Sequence, residues 1–99
     1  MPRPLNNRKV TAEVKLLKAL AHPGRLRMFL SLHKLGQRNV SQLAEDSGLA
    51  LSYVSLILRT AAAEGILDRE YAPRGNGVLY RIAPEYKEAV AQVADRVVG

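Results

Sequence analysis

A run of small and apolar residues at fixed spacing constrains this chain more than any other feature. Leu43-Ala44 is followed by Gly48, then Val54, then Ile57, at intervals of 4, 6 and 3 residues from Ala44. Two helices joined by a tight turn need such a set. The small Ala44 lets a second helix approach the first closely. Gly48 can take the positive φ of the turn, where a Cβ would be costly. Val54 and Ile57, with Leu58 beside them, anchor the second helix to a core and leave its opposite face free. Taken alone, the spacing fits a helix-turn-helix or a plain helical hairpin of a small bundle.

The surrounding punctuation decides between them. Val10, Val14, Leu17 and Ala21 recur at 4, 3 and 4, one apolar stripe on a helix of about three turns. Pro23 breaks it and opens a second helix over 23–35, with Leu26, Phe29, Leu30 and Leu32/His33 turned inward and Gly36 as its stop. A connector over 36–40 leads to Ser41, which can cap a short third helix over 42–47. The fourth helix spans 51–64 and ends at Gly65. Segments 66–72 and 78–82 read as strands around the turn-rich loop Pro73-Arg74-Gly75-Asn76-Gly77. Pro84 opens a last helix over 85–98, with the stripe Tyr86, Val90, Val93 and Val97. A helix-turn-helix followed directly by a hairpin is the order of a winged helix-turn-helix. The expected class is mainly α with a small β-hairpin: five helices plus a two-stranded wing. Residues 1–9 read as a flexible basic N-terminal arm, and 10–99 as a single domain with terminal dimerisation helices.

The 99 residues suffice for one modest core, and pairing with a second copy is a common way to stabilise a chain of this size. Cysteine is absent, which removes disulfides, thiolate metal sites and cysteine nucleophiles. The start carries no signal-peptide pattern, and no apolar run approaches the roughly 20 residues of a membrane span, so a cytoplasmic location is expected. The net charge of +6 is unevenly placed: residues 1–44 hold nine Lys/Arg against Glu13, and residues 45–99 hold six against eight acidic residues. The basic half suits nucleic acid or an anionic surface, or simply solvated helix faces.

Leu20-Ala-His-Pro-Gly-Arg-Leu-Arg-Met resembles the start of the second helix in the ArsR-like repressors, where a leucine-alanine-x-proline-x-arginine-leucine run stands. Val40-Ser-Gln-Leu-Ala-Glu resembles their first helix-turn-helix element, Tyr53-Val-Ser-Leu-Ile-Leu-Arg their recognition helix, and Glu64-Gly-Ile-Leu with Leu79-Tyr-Arg-Ile their wing. The resemblance implies a homodimeric transcription factor, a repressor binding a double-stranded inverted-repeat operator. It implies DNA contacts from Ser52, Tyr53, Ser55, Leu56 and Arg59 in the major groove. Arg74 would reach the flanking backbone or minor groove from the 73–77 wing. Arg59 suits a bidentate guanine contact or a phosphate clamp equally. The terminal helices take the places of the family's dimer helices, which makes Val10, Val14, Leu17, Tyr86, Val90, Val93 and Val97 candidate interface residues.

The chain departs from the family pattern in three ways. Leu56 and Ile57 stand where polar or basic residues are usual. Ala50 replaces the usual Ser or Thr cap. The cysteine and Asp/His metal sets are missing, and His22 and His33 lie 11 residues apart, so no metal or other cofactor is expected and any inducer is unknown. Residues 45–64 also carry Arg59 against Glu45, Asp46 and Glu64, a weak electrostatic footprint for a groove reader. A winged-helix protein-interaction or architectural module, using Leu51, Tyr53 and Leu56, is therefore the alternative. No catalytic constellation supports an enzyme.

Overall fold

The computed structural model describes residues 3–72, 75 and 77–98. Five helices and three strands follow one another: α1 (Asn7–Leu20), α2 (Pro23–Leu35), β1 (Arg38–Asn39), α3 (Val40–Ser47), α4 (Leu51–Ala63), β2 (Leu67–Tyr71), β3 (Val78–Ile82) and α5 (Pro84–Val97). Apart from β1, which falls in the expected connector over 36–40, the order is that expected from the sequence. The differences lie at helix starts and sheet edges.

The first helix begins at Asn7, three residues ahead of the expected Val10. Asn6 is the reason: its side-chain oxygen accepts from the N–H groups of Arg8 and Lys9 at 3.1 and 3.2 Å. Residues 7–9, expected in the loose arm, are thus the first turn of a helix. The core-facing side of α1 is Ala12, Leu16, Ala19 and Leu20, not the Val10, Val14 and Leu17 stripe. The helix carries two apolar faces, and the one with the clearer spacing is turned away from the core.

His22 caps α2, its Nδ1 accepting from the N–H of Gly24 at 3.1 Å. Gly24 also permits a close approach: a Cβ there would lie 2.6 Å from a methyl carbon of Leu49, in the turn between α3 and α4. Met28, Phe29 and Leu32 are the buried face of α2, whereas Leu26 and Leu30 are only half-buried and His33 is exposed. Asn39, not Ser41, caps α3. Its side chain accepts from the N–H of Gln42 at 2.8 Å, while the Gln42 side chain accepts from the N–H of Asn39 at 2.9 Å. This reciprocal capping box starts α3 at Val40.

The wing gains a third strand. β3 pairs antiparallel with β2 through Leu67↔Ile82 to Tyr71↔Val78. Its other edge pairs with β1, Arg38 opposite Tyr80 and Asn39 opposite Leu79, giving the order β1-β3-β2. A two-residue strand has no periodicity of its own and exists because β3 would otherwise present an unpaired edge. The core lies between α2, α3, α4, α5 and the base of this sheet, with Phe29, Leu43, Val54, Leu58, Ile66 and Val90 all buried.

Candidate nucleic-acid interface

The helix-turn-helix is α3, a three-residue turn and α4. Gly48 takes φ 72°, and its N–H donates to the Ala44 carbonyl at 3.0 Å. Val54, Leu58 and Ala61 face the core, with Ile57 half-buried beside them. The opposite side of α4 is open: Ser52, Leu56 and Arg59 are exposed and Ser55 is half-buried. These four lie on one face of the helix. The Arg59 side chain rests on its own helix, Nε donating to the Ser55 carbonyl at 3.4 Å. Ala50 offers no side-chain cap, so the first N–H groups of α4 lack that partner. Arg74 lies outside the described residues.

Tyr53 sits on a different side of α4 from the serines and Arg59. Its hydroxyl accepts from Arg25 at 3.2 Å. The same guanidinium donates to the carbonyls of Ala19 and Lys18 at 3.0 and 3.1 Å. Arg25 thereby ties the end of α1 to α2 and to the start of α4. Sequence reasoning placed Arg25 in the family-like Pro-x-Arg-Leu run but gave it no bonding role, because its partner Tyr53 is 28 residues away.

The acidic balance of this region is smaller than its composition suggests. Arg38 on β1 holds Asp46 on α3 through two N–H···O contacts of 3.1 Å, and Ser31 of α2 donates to the same carboxylate at 2.6 Å. Hydrogen bonds from Arg38, then from Ser31, hold the Asp46 carboxyl below the ordinary carboxylate range against the opposing effect of burial. A depressed pKa contributes stability that is present above the ordinary value of about 3.9 and is lost as pH falls through the folded-state value. Asp46→Asn is expected to lower unfolding free energy by about 1 kcal/mol at neutral pH, a partly solvated charged hydrogen bond. The gap should close as pH falls below about 3.9 in urea unfolding curves. A gap that persists undiminished at the acid end would contradict this assignment.

The candidate dimer residues divide. Tyr86 and Val90 are 7% and 0% exposed and belong to the chain's own core, because α5 lies against α2. They are corrected from interface to core. Val10, Val14 and Leu17 of α1 are 44%, 43% and 55% exposed, and Val97 of α5 is 50% exposed. Val93 is half-buried.

Among the described residues, no three His, Cys, Asp or Glu side chains come together as a metal site. No helix there is long and apolar enough to cross a membrane.

Comparison with known proteins places this fold. No family model matches the sequence, and comparison with curated proteins gives no match. Solved structures match over nearly the whole chain. The AntR antimony-specific transcriptional repressor is 28% identical with a TM-score of 0.76, over 99% of this chain and 87% of that one. The transcriptional repressor PagR of Bacillus anthracis is 27% identical with a TM-score of 0.71, over 89% and 99%. A MarR family transcriptional regulator from Silicibacter pomeroyi shares the fold at 22% identity and a TM-score of 0.65, over 91% and 65%. The chain is a winged helix-turn-helix of the kind found in transcriptional repressors, and the likeness extends across more than one branch of that fold.

Proposed function

We propose that this chain is a sequence-specific double-stranded DNA-binding transcriptional regulator, a homodimeric repressor of ArsR-like type and not an enzyme. The outer face of α4 carries this reading. Ser52, Ser55, Leu56 and Arg59 form a continuous surface opposite the buried Val54, Leu58 and Ala61, on a helix free to enter a major groove. In this reading the 73–77 wing, with Arg74, would contact the flanking backbone or minor groove. DNA phosphates would satisfy the uncapped N–H groups at the start of α4. The regulator would need no metal and would act in the cytoplasm, where the DNA would be.

Salt titration tests DNA binding directly. Each neutralised phosphate contributes about −0.9 to the slope of log K against log salt. A steep negative slope is expected from a dimer whose N-terminal half carries nine Lys/Arg. The second reading, a protein-interaction module, draws on the exposure of Leu51 and Leu56, 55% and 54%. Binding to a protein partner with little salt dependence, and none to DNA, would favour it.

The dimer draws on the outward faces of α1 and α5. Leu17→Glu places a charge in the middle of the α1 stripe and is expected to halve the mass seen by light scattering at micromolar concentration. An unchanged dimer mass would remove α1 from the interface, and a monomeric parent protein would remove the two-fold operator.

A further inference from the structure

A groove of about 670 Å³ runs between α1 and α4 and meets the face of α4 assigned to DNA at Leu56. Its base is apolar. Ile66 and Ala61 are buried there and Ile57 is half-buried, while Leu56 and Val14, the latter also a candidate dimer residue of the α1 stripe, form the rims. The volume lies within the range of roughly 300–1,000 Å³ typical of small-ligand sites.

The charge in this groove is polarised. Lys18, Arg25 and Tyr53 meet where α1 ends and α4 begins, and Lys15 lies one turn back along α1. The carboxylate among the lining residues, Glu64, is the C-cap of α4, 11 residues beyond Tyr53 and about 16 Å along the axis at 1.5 Å per residue. Arg25 is held in place by its three hydrogen bonds to Ala19, Lys18 and Tyr53. A guanidinium has five N–H groups, so two are left to donate. The Tyr53 hydroxyl accepts from Arg25, so its own proton is also left to donate. Fixed donors from Arg25 and Tyr53 thus stand at one end of an apolar trough, with Lys18 lining the same end.

We infer that this groove binds an amphipathic organic anion. Its carboxylate or sulfonate is held by Arg25, Tyr53 and Lys18, and its apolar body lies over Ile57 and Ile66. α4 forms one wall, so an occupant bears on the helix assigned to DNA. That regulatory consequence rests on the DNA-binding reading, whereas the binding itself does not.

The probes are 1-anilinonaphthalene-8-sulfonate and its neutral counterpart N-phenyl-1-naphthylamine, titrated by fluorescence into the full chain without DNA. One site per chain is expected, with the sulfonate bound at least about tenfold more tightly, as a charge-assisted hydrogen-bond set implies. Lys18→Glu, at an exposed helix position, should weaken the sulfonate by about tenfold and leave the neutral dye within about twofold. Thr60→Trp, which fills the groove, should weaken both. Equal affinity for the two dyes, or indifference of both dyes to both variants, would overturn the site. With DNA added, saturating sulfonate is expected to weaken duplex binding by about fivefold or more. Unchanged duplex affinity would overturn the regulatory half. A chain that binds the sulfonate as expected but no duplex would contradict the DNA-binding reading alone.

Discussion

Arg59→Ala is expected to weaken binding to the preferred duplex by about 5- to 150-fold, the 1–3 kcal/mol of a bidentate arginine–base contact. Arg59 is exposed on the outer face of α4, and it is the one Lys or Arg between residues 51 and 64. Its own-helix contact to the Ser55 carbonyl is long at 3.4 Å and exposed, so little is lost when it leaves for DNA. The two roles open to it give different signatures. A base contact predicts that preference relaxes at one position of each half-site. A phosphate clamp predicts uniform weakening across sequences and a salt slope reduced by about 1. Arg59→Lys separates them again, because lysine keeps the charge and loses the planar fork. Binding curves on a duplex series with single base-pair changes make the measurement. Unchanged affinity and preference in Arg59→Ala would remove α4 as the reading helix.

Phe29→Ala should have the largest effect on folding, about 3–5 kcal/mol. Phe29 is 0% exposed and belongs to the cluster with Leu43, Val54, Leu58 and Val90. Removing its ring leaves a cavity where α2 supports both α5 and the helix-turn-helix, and the loss is comparable with the whole stability of many domains of this size. The thermal midpoint should fall by on the order of 15–30 °C. Leu56→Ala provides the contrast. Leu56 is exposed, so its truncation should change stability by no more than about 0.5 kcal/mol. Calorimetry on the two variants should therefore separate a residue that holds the fold from one available to a partner. Comparable losses in both would mean that Leu56 is part of the core.

Most of the fold was legible because its punctuation is local. Pro23 and Gly36 bound α2 where expected, Gly48 takes the left-handed turn, and the strand over 78–82 has its expected limits. The helix starts that shifted also carried a local signal. Asn6 before α1, and Asn39 three residues ahead of Gln42, are N-cap patterns that composition alone disguised as loop.

What could not be read is what depends on distant partners. β1 is defined by the edge of β3. The Arg38–Asp46–Ser31 cluster joins three elements, and it changes how the acidic residues near α4 are counted. The α1 stripe shows why periodicity alone misleads: a helix with two apolar faces does not reveal which one its own chain uses. Tyr86 and Val90 show the converse, since a stripe suited to a partner was needed by the chain's own small core. In the candidate site, the open face of α4 followed from the spacing of its buried side. The diversion of Tyr53 toward Arg25 did not, because the two residues are brought together only by the fold.

The most direct test of the account is selection from a randomised duplex pool with the purified chain at moderate salt. The expected result is enrichment of an inverted repeat whose half-sites lie about one helical turn apart, as a two-fold reader requires. Binding without enrichment, or no binding at all, would contradict sequence-specific recognition by α4.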